Sequence, residues 1–254
     1  MDNSCLFCGA NGAGVLSNEH VNPRWLLEHL DLPANDMLFQ GVASSATEIL
    51  VQPPRIHSTY NFVQGRVCED CNTGWMSRLE GRAKPILVPL IEKERSIESL
   101  SREEAEIVGK WAVKTAYMHS WTIPLKRPVQ LNHLRALLGD DGSPVAGVGV
   151  FGMQSDFKKQ SAYIQVGFWP QTPVERFAET PDEAYKIGLQ FRYLYLLTAF
   201  WPNPKSVLML IENLHTVIFP VGDGSPTYAL GLEVGDGPVE KLAAFCKWLG
   251  VLHL

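Results

Sequence analysis

The chain has 254 residues, of which 46% are apolar, so it can form one large domain or two ordinary ones. Its 22 Lys and Arg are outnumbered by 27 Asp and Glu, which excludes a uniformly basic nucleic-acid-binding protein. No run of about 18 uncharged apolar residues occurs, which excludes a membrane-spanning helix. The N-terminus lacks the pattern of a secretory signal, so we expect a cytoplasmic protein with reduced cysteines.

Two cysteine pairs, each with two intervening residues, mark the N-terminal third: Cys5 with Cys8, and Cys68 with Cys71. This spacing lets a tight turn direct both sulfurs of a pair at one point, and four thiolates suit tetrahedral Zn2+. We therefore predict one structural zinc ion held by these four residues. The alternatives are two unrelated turns, or a purely structural zinc ribbon that has no catalytic role. The fifth cysteine, Cys246, falls on the apolar side of a predicted C-terminal helix and is interpreted as core.

The residues between the two pairs predict a hairpin with an insertion. A first strand is expected to lead to Asn18-Glu19-His20, and residues 63–67 form its expected partner. Asn22 is suited to cap a short helix that has Pro23 at its first position. Residues 31–55 have no regular pattern and are interpreted as an irregular insertion.

A helix is predicted to follow the second cysteine pair. Trp75, Met76 and Leu79 are spaced as on one helical face within residues 73–84, and Pro85 is expected to end the helix. The predicted order of elements in this third of the chain is therefore strand, strand, helix.

Together these residues resemble the HNH endonuclease family, which has a ββα-metal fold built on a zinc knuckle. The resemblance covers about the first third of the chain. It is carried by three segments: Cys5-x-x-Cys8, Glu19-His20-Val21-x-Pro23 and Cys68-x-x-Cys71-Asn72-x-Gly74-Trp75.

The resemblance implies roles for particular residues. His20 would be the general base, Glu19 a ligand of a catalytic divalent metal, and Asn72 the last residue of the motif and a second metal ligand. Asn61 is the candidate for the middle residue of the motif. Asn61 lies further from the following cysteine pair than is usual in the family, and His57 is close enough to be the alternative.

The chemistry of phosphodiester hydrolysis agrees with these residue types. The reaction needs an activated water and neutralisation of the charge that builds up on the phosphate. A neutral imidazole such as His20 can accept a proton from water if an oxygen, such as that of Asn61, fixes its tautomer. The oxygens of Glu19 and Asn72 favour Mg2+ or Mn2+ over zinc. We thus expect a closed structural Zn2+ and an open catalytic Mg2+ or Mn2+.

Each of these residues also has a simpler interpretation. His20 could be a surface or cap histidine ahead of a helix, and Asn72 could simply cap the helix that follows it. His119 has no ligand spacing and is interpreted as structural. Phosphate contacts are predicted for four arginines of the N-terminal third, which could equally be ordinary surface charges: Arg55, Arg66, Arg78 and Arg82.

The remaining residues predict a conventional α+β domain of unknown role with an antiparallel sheet. A capping box at Ser101-Arg102-Glu103-Glu104 opens a helix that extends to about Trp121, and a second helix follows Pro128 and ends at Gly139. Residues 186–193 are consistent with either a strand or a helix. Strands are expected at 145–151, 162–169, 207–211 and 216–219, and a closing helix at 238–249.

The sequence as a whole predicts an α+β protein with a zinc-stabilised ββα module in residues 1–85 and a second domain in residues 86–254. The expected function is metal-dependent cleavage of DNA, in the restriction, defence or genome processing of bacteria or phages. The alternative is a non-catalytic zinc module that binds nucleic acid or a protein partner, which the acidic charge balance favours. The choice between DNA and RNA stays open, as does the oligomeric state, a homodimer included.

Overall fold

The computed structural model describes both backbone and side chains for residues 4–12, 15–31, 62–122, 129–154, 185–200 and 216–219, and the backbone alone for further strands between 37 and 253. The fold is α+β, with helices, antiparallel sheets and a four-cysteine cluster near the N-terminus. Within the described part of the chain, no helix is both long and apolar enough to cross a membrane.

The predicted N-terminal hairpin is present. Strand β1 (Leu16–His20) pairs antiparallel with β6 (Val63–Cys68), and a β-bulge interrupts the register between Ser17 and Glu19. Leu16 lies opposite Cys68, and His20 lies opposite Val63. The hairpin therefore has the second cysteine pair at one end and His20 at the other.

A short helix, α1 (Arg24–Leu30), follows β1, but the prediction that Asn22 caps it is wrong. The cap residue is Pro23, with φ −53° and ψ 143°, and no side chain caps the helix. Proline is tolerated at a helix start because the N–H that it lacks would have no partner there. The Asn22 side chain is instead buried in a contact described below.

The insertion at residues 31–55 is more regular than the sequence predicts. It contains β2 (Met37–Phe39), β3 (Val42–Ser44) and β4 (Ile49–Val51), and β5 (Arg55–His57) follows at its end. β3 pairs with β4 and β2 pairs with β5, both antiparallel, so the two hairpins are nested. Strands of three residues are too short to show an alternating pattern, which is why the prediction missed them.

Strand β6 continues directly into a helical segment. This consists of α2 (Glu69–Cys71), a π-helical turn (Asn72–Met76) and α3 (Ser77–Ile91). The expected end at Pro85 is wrong, because α3 continues to Ile91 with Pro85 and Pro89 inside it. One face of α3 is buried through Leu87, Leu90 and Ile91, and the helix packs against a later helix. That packing offsets the roughly 3 kcal/mol that an interior proline costs.

The same helix crosses the proposed domain boundary at residue 85. Buried residues from both sides of that boundary belong to one apolar cluster, which extends from Cys5 to Ile218. The division into residues 1–85 and 86–254 stays a prediction.

Helix α4 (Arg102–Thr122) lies at the centre of this core, and its residues 111–120 are all buried. The predicted capping box is present: Ser101 Oγ accepts from Glu104 N at 3.3 Å, and Glu104 Oε2 accepts from Ser101 N at 2.9 Å. α4 packs against α3, β6 and the C-terminal strands. It is therefore the element that joins the hairpin to the rest of the fold.

The main sheet of the second part has three antiparallel strands. After α5 (Leu131–Ala136) come β7 (Val148–Gly167) and β8 (Tyr185–Phe200), and β10 (Thr216–Phe219) pairs with the other edge of β7. The strands predicted at 145–151 and 162–169 belong to the single long strand β7. The ambiguous residues 186–193 form a strand, and its polar members Lys186 and Gln190 are buried as well as its apolar ones.

A second three-stranded sheet has β9 (Ser206–Leu210) at its centre. β11 (Tyr228–Leu230) pairs parallel with β9, and β12 (Gly250–His253) pairs antiparallel with it. The predicted closing helix at 238–249, with Cys246, lies outside the described residues.

Candidate metal centre and the surroundings of His20

The two cysteine pairs meet, as their spacing predicts. The four sulfurs lie within 4.8 Å of one another, and Cys8 Sγ is 3.5 Å from Cys68 Sγ. Tetrahedral zinc with Zn–S bonds of about 2.3 Å needs sulfurs about 3.8 Å apart, so only small shifts of the four sulfurs would complete the coordination. The donor set of four sulfurs could hold a metal ion such as zinc.

The backbone around the cluster brings the first pair against β6. Leu6 N donates to Arg66 O at 2.9 Å, and Gly9 has φ +78°, a left-handed conformation that lets the chain turn after Cys8. Cys5, Cys68 and Cys71 are buried, whereas Cys8 is exposed. The ring of Phe7 packs edge-on against Trp75, with 5.4 Å between the ring centroids, and this pair shields the buried side of the cluster.

Hydrogen bonds already favour negative charge on one sulfur. The thiol of Cys71, together with backbone N–H groups of Cys8, Cys68 and Phe7, lowers the pKa of Cys5 to about 4. The hydrogen bond shared with Cys5, and then burial, raise the pKa of Cys71, and burial raises that of Cys68. Four adjacent thiolates therefore need a cation, and a divalent metal supplies it.

His20 ends β1 on the far side of the hairpin from the cysteines and is half-buried. The residue predicted to orient it cannot be placed: Asn61 lies outside the described residues, and His57 is described only as backbone of β5. The middle position of the motif therefore stays a prediction.

Asn72 is anchored to the first strand. Its Nδ2 donates to Ser17 Oγ at 3.1 Å, and the Ser17 hydroxyl donates to Val67 O at 3.0 Å. The Asn72 side chain thus links the turn after Cys71 to β1, and the helical segment that follows begins without a side-chain cap. This bond uses the amide nitrogen, so the amide oxygen, which is the atom a metal would use, is left for another partner.

Glu19 lies in a buried charged cluster. Its Oε1 is 3.6 Å from Lys114 Nζ on α4, and the same ammonium is 2.6 Å from Glu80 Oε1 on α3. Burial opposes the charge on Lys114, but the two carboxylates outweigh it and raise its pKa. Burial raises the pKa of Glu19, and Lys114, which lies closer to Glu80, offsets this rise only in part. Among the described residues no contact joins Glu19 to Asn72, so this geometry does not support a shared catalytic metal.

Three of the four arginines predicted to contact phosphate have other partners. Arg78 forms a bidentate pair with Asp140 at 2.7 Å, and Arg82 lies 3.5 Å from Glu103. Both pairs are exposed. The Arg66 side chain reaches Ser4 O at 3.4 Å, and the side chain of Arg55 is not described. Phosphate would have to compete with the carboxylates for Arg78 and Arg82.

Sequence reasoning missed the roles of two polar residues of α4, Lys114 and His119. His119 Nε2 lies 2.9 Å from Asn22 Oδ1. Burial, followed by the charge of Lys114, lowers the pKa of His119 to about 3, so the imidazole is neutral at pH 7 and Nε2–H donates. The available signal was a lysine three positions after Trp111, a spacing that places both side chains on the same, otherwise buried face of the helix.

These observations define the chain as an α+β protein with a candidate four-cysteine metal centre on its N-terminal hairpin. A comparison with protein-family models, with curated proteins and with solved structures finds no match.

Proposed function

We propose that this protein is a metal-dependent endonuclease of the HNH type that hydrolyses phosphodiester bonds in DNA. The observation that carries the proposal is the order and linkage of the hairpin. His20 ends the first strand, the second strand runs from Val63 to Cys68, and Asn72 follows the second cysteine pair and is bonded back to Ser17 of the first strand.

In this proposal the four cysteines hold a structural zinc, and His20 accepts the proton of the attacking water. The Asn72 amide oxygen would be a ligand of Mg2+ or Mn2+, and such an ion would supply positive charge to neutralise the phosphate. Glu19 contributes as a buried partner of Lys114, because its carboxylate is already engaged there. A role in bacterial or phage defence follows from the family resemblance alone.

The test uses the purified full chain with supercoiled plasmid, single-stranded DNA and RNA, each with Mg2+ or Mn2+ and with EDTA as the control. We expect metal-dependent nicking of plasmid. His20→Ala should lose on the order of 100-fold to 10,000-fold in rate while it stays folded and keeps its zinc. Undiminished nicking by His20→Ala, with a mock preparation excluding contaminants, would overturn the assignment of His20.

A second candidate function is a zinc module that binds nucleic acid or protein without cleaving. The engagement of Glu19 by Lys114, and of Arg78 by Asp140, favours it, since a catalytic carboxylate and a phosphate-binding arginine are then both committed. Binding to DNA in a gel-shift assay without cleavage in any metal would support this candidate and contradict the nuclease.

A further inference from the structure

Three polar residues of α4 contact the hairpin on both sides of His20. Lys114 Nζ lies 3.6 Å from Glu19 Oε1, and His119 Nε2 lies 2.9 Å from Asn22 Oδ1. Thr122 Oγ1 accepts from Gln64 Nε2 at 3.4 Å, and Gln64 pairs with Glu19 across the hairpin. We call Lys114, His119 and Thr122 the α4 polar stripe. It touches the residue before His20 and the residue two places after it.

The contacts of Lys114 and His119 are buried, and that of Thr122 is partly buried. Lys114 is fully buried, and Glu19, Asn22 and Gln64 are each at most 7% exposed. Buried polar groups lose their solvation, so each has a single favourable arrangement with its partner, and leaving that arrangement is costly. The backbone supports the same arrangement, because Val21 N donates to Phe62 O at 3.1 Å. The short segment from Glu19 to Asn22 is therefore held at both ends.

The alternation of side chains along a strand connects this anchoring to His20. Successive residues of a strand point to opposite faces, so a Glu19 side chain directed at α4 requires His20 to point away from α4. The burial agrees: Glu19 is buried, whereas His20 is half-buried. The contacts with α4 therefore favour the rotation of this strand that directs the imidazole away from α4.

We propose that Lys114 and His119 are positioning residues for His20. Helix α4 lies outside the segment that resembles the nuclease family, yet it holds the strand end in the rotation that presents the imidazole to the substrate. The inference rests on the proposed nuclease function as far as catalysis is concerned. It further requires that residues 1–85 alone present His20 poorly, because Lys114 and His119 are then missing.

The decisive variant is His119→Phe in the full chain. Phenylalanine keeps a ring against Phe62, whose centroid is 5.7 Å from that of His119, but it removes the Nε2–H that donates to Asn22. His119→Gln is the conservative variant, since its amide can still donate. Tyr117→Phe is the matched control: it removes a buried hydroxyl of the same helix, bonded to Tyr185 at 2.7 Å and not to the hairpin.

At a temperature where all variants are folded, we expect His119→Phe to lower kcat roughly 10-fold to 100-fold, with KM little changed. His119→Gln should recover most of this loss, and Tyr117→Phe should keep the wild-type kcat. Equal kcat values for His119→Phe and Tyr117→Phe would overturn the proposal. Loss of the hydrogen bond to the hairpin would then matter no more than loss of any buried polar group of α4.

A second measurement does not depend on cleavage. The imidazole resonances of His20, assigned by their loss in His20→Asn, should shift and broaden in His119→Phe and stay in place in Tyr117→Phe. If the wild type cleaves nothing but this shift is seen, the nuclease function fails and the positioning of the imidazole stands. If the wild type cleaves and the resonances do not respond to His119→Phe, the positioning role is overturned and the nuclease function stands.

Discussion

The two ends of the N-terminal hairpin are stabilised in different ways. At one end, two cysteine pairs, each with local spacing, are brought together by strand β6, and a metal ion would hold them there. At the other end, the segment around His20 is held by Lys114 and His119, which lie on α4, far along the chain. The comparison teaches that the ligands of the metal end can be recognised from local sequence spacing, whereas the contacts at the His20 end depend on tertiary packing.

The strongest test of the metal end is Cys68→Ser. Four thiolates acting on a structural zinc contribute on the order of 10 kcal/mol, so loss of one should abolish zinc binding and expose the hairpin. Elemental analysis should fall from one zinc per chain to none, and amide hydrogens of β1 and β6 should exchange freely. Cys246→Ser, which changes the cysteine outside the two pairs, is the control and should keep its zinc. Zinc retained by Cys68→Ser would show that the cluster does not bind it as proposed.

The matching test of the His20 end is Lys114→Met. It removes the ammonium that lies between Glu19 and Glu80 and leaves the buried carboxyl group of Glu19 and the half-buried one of Glu80 without their partner, which should cost roughly 3 to 5 kcal/mol of unfolding free energy. Urea unfolding measures this loss of free energy. Arg78→Ala breaks an exposed pair with Asp140 and should barely move the midpoint, since exposed pairs are weak. If the two variants had similar midpoints, the buried cluster would not stabilise the hairpin.

Lys114 also shows which contacts sequence reasoning could not predict. The cysteine spacing, the β1 and β6 strands and the Ser101 capping box depend on neighbours in sequence, and all of them could be predicted. The contacts of Lys114 and Asn22 could not, because their partners come from distant elements that only the folded core brings together. The predicted helix end at Pro85 failed for a related reason, since packing against α4 outweighed a local rule.

Acid should weaken the His20 end through His119. Its folded pKa of about 3 lies below the ordinary 6.5, so the unfolded chain binds the proton more tightly. The stabilisation is complete above pH 6.5 and is lost as the pH falls towards about 3, at up to about 1.4 kcal/mol per pH unit. His119→Gln should show a shallower decline in urea midpoint below pH 6.5. Release of zinc in acid is common to both proteins, so the difference between the two curves isolates the imidazole; parallel curves would contradict this prediction.

The smallest effect is expected at the cysteine end of the hairpin, at the bond between Asn72 Nδ2 and Ser17 Oγ. Asn72→Ala removes this hydrogen bond and should lower the unfolding free energy by about 1 kcal/mol, whereas Ser17→Ala also removes the bond that the Ser17 hydroxyl donates to Val67 O and should cost up to about 2 kcal/mol. Their metal dependence should differ, because only Asn72→Ala also removes the amide oxygen proposed to bind Mg2+ or Mn2+. Nicking by Asn72→Ala should therefore need a higher Mn2+ concentration, whereas Ser17→Ala should follow the wild-type titration. Coincident titrations of the two variants would mean that Asn72 only links the turn after Cys71 to the first strand.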